Sequence, residues 1–235
     1  MECVMSAISV MTMPEKFMAG KKQTVQLGAD EAGRGPVLGP MVLCALEGEP
    51  RELSTLGVKD SKRLSSARRN ELFEQLGTVS RWELHVVWPP EIDDAVCNSS
   101  LNALELEHFG QLLSMFENDF AYVDAPDVDE SRFSREASKL CGKSVIAEHG
   151  ADDRYPSVSA ASIVAKVTRD RIVSKLKSEL GSDFGSGYPS DRKTVDFIED
   201  FVSRHGTLPP HCRQTWETSR RILANSKIKS LEYFR

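Results

Sequence analysis

The alternation of apolar and polar positions divides the chain into short strands early and helices late. Val25, Leu27 and Ala29 alternate with other residues from Thr24 to Ala29, predicting a half-buried strand that runs into the turn Gly33-Arg34-Gly35-Pro36. Val37 to Leu46 is almost continuously apolar, with Gly39-Pro40 inside it, and predicts a second strand. Trp82, Leu84, Val86 and Trp88 alternate with Arg81, Glu83, His85 and Val87, a third strand stopped by Pro89-Pro90. Phe120 to Val123 and Val145 to Ala147 give two more.

Helices fill the intervals. Ser65 can cap a helix running to Leu76, with Gly77 just past its end. Leu101, Leu104, His108, Leu112 and Met115 recur at helical spacing and predict one buried face. Ala160 to Leu180 reads as a long helix ended by Gly181. Lys193 to Arg204 and Arg213 to Asn225 make a last pair, separated by Gly206-Thr-Leu-Pro-Pro210. Strands alternating with helices, then helices alone, predict an α/β layer with a helical C-terminal appendage. The expected divisions are a poorly ordered extension over residues 1–23, a main domain over 24–192 and a helical part over 193–235.

Composition narrows the class. With 235 residues, 40% of them hydrophobic and 28% charged, the chain reads as globular. No window approaches the roughly 18–20 apolar residues of a membrane span. Five scattered cysteines without a C-x-x-C pair indicate neither a disulfide framework nor a thiolate metal site, and suit a reducing cytoplasm. Met1 to Ala19 lacks the basic start of a signal peptide. A net charge of −5 excludes an all-over basic surface. The charge is nonetheless uneven: Trp82 to Ser131 carries twelve acids and no Lys or Arg, whereas Lys59–Arg69, Lys166–Lys177 and Ser203–Arg235 are basic runs. Each run alone could be a solvated helix face; three together suggest a polyanion held on one side.

The carboxylates suggest the chemistry. Asp30 and Glu31 end one predicted strand, Asp124 ends another, and Asp152 closely follows a third. Ligands of α/β sheets collect at strand ends. Acids gathered there repel one another unless cations lie among them, and oxygen donors without a Cys or His cluster match Mg²⁺ or Mn²⁺. Two such ions about 3.5–4 Å apart suit phosphoryl transfer, one activating water and the other stabilising the leaving oxygen. Each acid could equally cap a turn. Strict alternation, moreover, points Asp30 and Glu31 to opposite faces unless the chain bends at Ala32-Gly33. The flanking glycines of Gly33-Arg34-Gly35 let backbone N–H groups approach a ligand, and Arg34 could reach a phosphate or a ribose.

Gly28-Ala-Asp-Glu-Ala-Gly-Arg-Gly35-Pro36 with Gly39-Pro40 resembles the opening signature of ribonuclease HII, the type 2 ribonucleases H. The resemblance continues through Lys59-Asp-Ser-Lys62, Val123-Asp124-Ala125 and Ala151-Asp152-Asp-Arg-Tyr155-Pro156. Ser159 to Asp170, Gly185-Ser-Gly-Tyr188-Pro-Ser-Asp191 and Arg213-Gln-Thr-Trp216-Glu-Thr218 complete it, in a form closest to archaeal-type enzymes. It implies a ribonuclease H-like fold, with a central mixed β-sheet flanked by helices, and an endonuclease that cuts the RNA strand of RNA/DNA hybrids. It also implies incision on the 5′ side of single ribonucleotides in duplex DNA, leaving 5′-phosphate and 3′-hydroxyl ends. Asp30, Glu31, Asp124 and Asp152 match the family's ligands for two Mg²⁺ or Mn²⁺ ions, Asp30 bridging both. Gly33, Arg34 and Gly35 match the turn that senses the 2′-hydroxyl, and Tyr188 the aromatic that packs on the sugar at the RNA–DNA junction. Lys59, Lys62 and Lys166 match residues on the substrate side. A group contacting the 2′-hydroxyl is what separates RNA from DNA, and backbone amides do so without reading the base.

Asp153 stands where a small residue is more usual, adding a charge beside Asp152. His149 could assist proton transfer or hold a neighbouring group. The tail Ser230-Leu-Glu-Tyr-Phe234-Arg235 weakly resembles a sliding-clamp docking peptide but lacks its Gln and second aromatic, so packing on the domain is the competing reading. Two rival functions stand beside the main one: an aspartyl-phosphate phosphohydrolase built on Asp127-Val-Asp129, and a non-catalytic hybrid-binding protein. A monomer is the default expectation, with no membrane partner.

Overall fold

A computed structural model describes residues 25–58 and 64–232, with side chains to residue 226. The expectations for residues 1–23, Lys59, Lys62 and the clamp-like tail side chains lie outside the described residues.

Five strands form one mixed sheet in the order β3-β2-β1-β4-β5. β1 (Gln26–Ala32), β2 (Met41–Gly48) and β3 (Ser80–Val87) are antiparallel neighbours. β4 (Phe120–Asp124) and β5 (Ser144–Glu148) continue from β1 in parallel. The apolar positions of β1 and β2 then sort by parity. Leu27, Ala29, Leu43 and Ala45 join one core with Phe109 of α4 (Leu101–Ser114) and Phe133 of α5 (Glu130–Cys141). Ala32, Val42, Cys44 and Leu46 join a second core with Ile163 and Val164 of α7 (Pro156–Glu179). Such two-sided burial is what a central strand with few polar residues requires. α7 approaches β1 so closely that a Cβ added to Gly28 would lie 2.4 Å from both Ser157 Oγ and the Val158 nitrogen. Only glycine fits there. A third core joins the end of α7 to α8 (Arg192–His205) and α9 (Glu217–Glu232), with Val37, Leu38 and Phe184 between them.

Several boundaries differ from the periodicity reading. The second strand begins at Met41; Val37 and Leu38 belong to a loop whose Leu38 bridges to Cys212. Gly77 lies inside α2 (Ser66–Val79), which Ser80 ends instead. The long helix starts at Pro156, where a missing N–H costs nothing. Arg213 to Trp216 form a turn, and the last helix starts at Glu217. On α4 the buried stripe is rotated from the predicted one: Glu105, Phe109, Leu112 and Leu113 are buried, while Met115 is exposed.

Candidate active site

Three of the four strand-end acids converge. Ligand oxygens of Asp30, Asp124 and Asp152 all lie within 4.8 Å of one another. Parity explains the meeting. Asp30 and Asp124 stand out of phase with Ala29 and Val123, which face α4 and α5, so they face α7 across neighbouring parallel strands. Asp152 comes from the one-turn helix α6 (Ala151–Arg154), which links β5 to α7. The Ala151 N–H donates to Asp124 Oδ1 at 3.0 Å, tying the end of β4 to the start of α6. Asp30 Oδ1 accepts from the Glu31 N–H at 2.7 Å, and the Ser162 hydroxyl of α7 donates to the same carboxylate.

Burial pushes the Asp30 carboxyl up to about 7; Lys166 opposes that shift and Asp124 adds to it. Lys166 stands one helical turn from Ser162 and donates to its hydroxyl. The donor set is therefore all carboxylate, largely buried and self-repelling, with no imidazole or thiolate in it. That chemistry fits a hard divalent cation.

Glu31 lies outside this group of three. β1 stays paired through Ala32, so no bend carries Glu31 onto the Asp30 face. It falls in phase with Leu27 and Ala29, toward α4. Burial raises its carboxyl well above the usual range, and the charges of Asp30, Glu105 and Asp124 raise it further. Glu31 thus stands at the same sheet end, between the aspartates and Glu105.

The turn after β1 is gripped from behind. Gly33 has φ 89°, and a Cβ there would lie 2.3 Å from Arg169 Nε and 2.7 Å from the Pro40 oxygen. The fully buried Arg213 donates to the carbonyls of Gly33 (2.5 Å), Arg34 (2.7 Å) and Gly39 (3.1 and 3.2 Å). Trp216 Nε1 donates to the Gly35 carbonyl at 3.1 Å. In a trans peptide the N–H points opposite the C=O. Fixing the Gly33 and Arg34 carbonyls inward therefore turns the N–H groups of Arg34 and Gly35 outward. Neither finds an acceptor among the described residues. Arg169 donates to the Pro40 carbonyl at 3.2 Å and lies under the Tyr188 ring, 5.4 Å from its centroid. Burial, with Arg169 nearby, lowers Arg213 to about 9. Tyr188 is 38% exposed and flanks Gly35, whose added Cβ would meet the ring at 3.6 Å.

Arg34 does not reach outward. Its guanidinium pairs with Glu105 and donates to Asn102 Oδ1 at 2.6 Å, both on α4. The Arg34 side chain nonetheless keeps 34% exposure beside the turn. Glu105, Asn102, Arg169, Arg213 and Trp216 are the residues that sequence reading left out of the site. A charged Glu105 in the Leu101-Phe109-Leu112 stripe was the available signal.

The remaining candidates stand outside the group of three aspartates. Asp127 is paired with Arg132 and accepts from the Asp129 N–H, while Asp129 caps α5. Both acids of the rival phosphohydrolase motif are thereby engaged in a loop rather than at a strand end. Asp153 is exposed. His149 is exposed, with Nδ1 3.2 Å from the Ala125 carbonyl and Nε2 3.8 Å from Glu130.

The family model described as Ribonuclease HII matches residues 27–219. The chain belongs to the ribonuclease HII family. It is similar to the Ribonuclease HII of Thermococcus onnurineus, 47% identical over 203 residues that cover 83% of this chain and 88% of that protein. Its fold matches the crystal structure of ribonuclease H2 from Pyrococcus horikoshii with a TM-score of 0.81 and 42% identity, covering 86% and 99% of the two chains. A PCNA:RNase HII complex from Archaeoglobus fulgidus matches at TM-score 0.79 and 40% identity, covering 84% and 96%. Ribonucleases HII are metal-dependent endonucleases, and the chain is a hydrolase of that class with the expected ribonuclease H-like fold. Among the described residues no helix is long and apolar enough to cross a membrane.

Proposed function

We propose that this ribonuclease HII hydrolyses the RNA strand of RNA/DNA hybrids and nicks duplex DNA on the 5′ side of a single embedded ribonucleotide. The observation that carries the reading is the convergence of Asp30, Asp124 and Asp152 beside a turn with two outward N–H groups. Asp30, Asp124 and Asp152 would hold Mg²⁺ or Mn²⁺, and Glu31, at the same sheet end but on the other face of β1, is the fourth acid of the family pattern. The ions supply activation of the attacking water and stabilisation of the leaving oxygen. The chain's own residues do the rest. Gly33, Arg34 and Gly35 present backbone donors to the 2′-hydroxyl, and Tyr188 stacks on the adjoining sugar, where a second hydroxyl would crowd it. Ser162 and Lys166 orient and balance Asp30, and Lys166, with the family-matched Lys59 and Lys62, would supply positive charge to the substrate backbone. The products carry 5′-phosphate and 3′-hydroxyl ends.

The role that follows is removal of ribonucleotides and RNA primers during cytoplasmic DNA replication and repair, by a monomer. The PCNA:RNase HII complex of the Archaeoglobus relative supports a sliding clamp as partner, and the C-terminal tail is the segment proposed to meet it. One assay tests the core of the reading. A duplex with one ribonucleotide, incubated with the protein and Mg²⁺ or Mn²⁺, should be nicked once on its 5′ side, and the all-DNA duplex should stay intact. An uncut ribonucleotide duplex with either ion would overturn it.

A further inference from the structure

Glu105 is completely buried, yet it is an acid in the apolar stripe of α4. Burying a carboxylate is costly unless a specific partner repays it. Here the partner is Arg34, whose guanidinium also donates to Asn102 one turn earlier on the helix. The other Glu105 oxygen, Oε1, has no hydrogen-bond partner among the described residues. The one cation that hydrogen-bonds the acid is Arg34, in the turn between the acids and Tyr188, while the Arg213 charge also acts on it. A planar guanidinium held by two acceptors has little freedom left. Asn102 also lies beside Asp127, in the loop that follows Asp124, and helps hold its carboxyl below the usual range. The same helix end thus stands between the turn and the loop after the strand that carries Asp124.

We infer that Glu105, assisted by Asn102, is a positioning residue: it anchors Arg34 by its side chain so that the Arg34 and Gly35 N–H groups meet the 2′-hydroxyl in one fixed orientation. Arg213 fixes the carbonyl side of the same peptides, and Glu105 fixes the side chain between them. Arg34 in this arrangement works through its own backbone rather than through its guanidinium. The inference rests on the cleavage activity proposed above and assigns to it residues outside the glycine turn.

A double-mutant cycle tests it. kcat and KM on a duplex with one ribonucleotide are measured for the wild type, Glu105→Gln, Arg34→Ala and the double variant, with thermal melting of each. A positioning role acting through Arg34 predicts that Glu105→Gln lowers kcat/KM about tenfold, mainly through kcat, and changes it less than about twofold in the Arg34→Ala background. A merely structural role predicts the same factor in both backgrounds, and that result overturns the inference, as does an unchanged kcat in the single variant. If Glu105→Gln does not fold, Asn102→Ala takes its place under the same criteria. Additive losses in an active enzyme sink the positioning role alone. A wild type that leaves the duplex uncut sinks both this role and the activity beneath it.

Discussion

The acidic end of the sheet and the glycine turn next to it are both charged and rest on buried side chains, but opposite means hold them. Asp30, Asp124 and Asp152 crowd like charges together, with the balance left to protons, Lys166 and the cations they are suited to bind. The turn gathers positive charge beside it: the buried Arg213 gives its donors to main-chain carbonyls, and Arg169 gives Nε to that of Pro40. The first region is built from side chains at element ends and is completed by a ligand. The second is built from peptide groups locked by side chains and is complete before any ligand arrives. Chemistry can thus depend on a loaded ion while recognition depends only on the fold.

The sharpest break between the two regions is Asp30→Asn. Losing one carboxylate from the ion site should cut cleavage by a thousandfold or more, on the order of several kcal/mol of transition-state stabilisation, while affinity for an RNA/DNA hybrid persists. Single-turnover cleavage beside a binding titration checks this, and full activity in the variant would remove Asp30 from the site. Arg213→Met strikes the other region. It strips donors from buried carbonyls but also removes a desolvated charge, so a net loss of roughly 2 kcal/mol in urea unfolding is expected. The aspartate cluster should then still bind Mn²⁺, as titration calorimetry would report. Loss of ion binding in that variant would show that the two regions are one unit.

The smallest effect concerns the ground on which the turn is braced. Lys177 at the end of α7 and Lys193 at the start of α8 both contact Asp183, at 2.8 and 3.1 Å, and hold its carboxyl well below the usual range of 3.8. A depressed folded-state pKa stabilises at pH above 3.8 and is lost as pH falls below that value. Asp183→Asn should therefore lower the melting temperature slightly at neutral pH and make no difference in strong acid. An equal effect at pH 7 and pH 2 would contradict the assignment.

The two regions also differ in how well the chain announces them. The acids stand at the ends of strands that alternation reveals, so Asp30, Asp124 and Asp152 could be grouped from local pattern. Glu31 could not be placed as readily: pairing through Ala32 keeps the strand straight and turns its side chain toward α4. The supports of the turn were hidden for a different reason. Arg213 acts on Gly33 across 180 positions of sequence, and Trp216 on Gly35 across 181. No local period encodes such contacts, and Arg213–Trp216 even reads as the start of a helix. Glu105 was visible as an acid in an apolar stripe, but its meaning needs Arg34 beside it.

The reach from Arg213 back to Gly33 has a consequence for the order of biosynthesis. Ribosomes deliver the acid-bearing strands and the helix that covers them well before the segment that braces the glycines. A nascent chain halted after α7 would hold Asp30, Asp124 and Asp152 but lack the Arg213 donors that fix the Gly33 and Arg34 carbonyls. Only emergence of the last stretch of polypeptide supplies them.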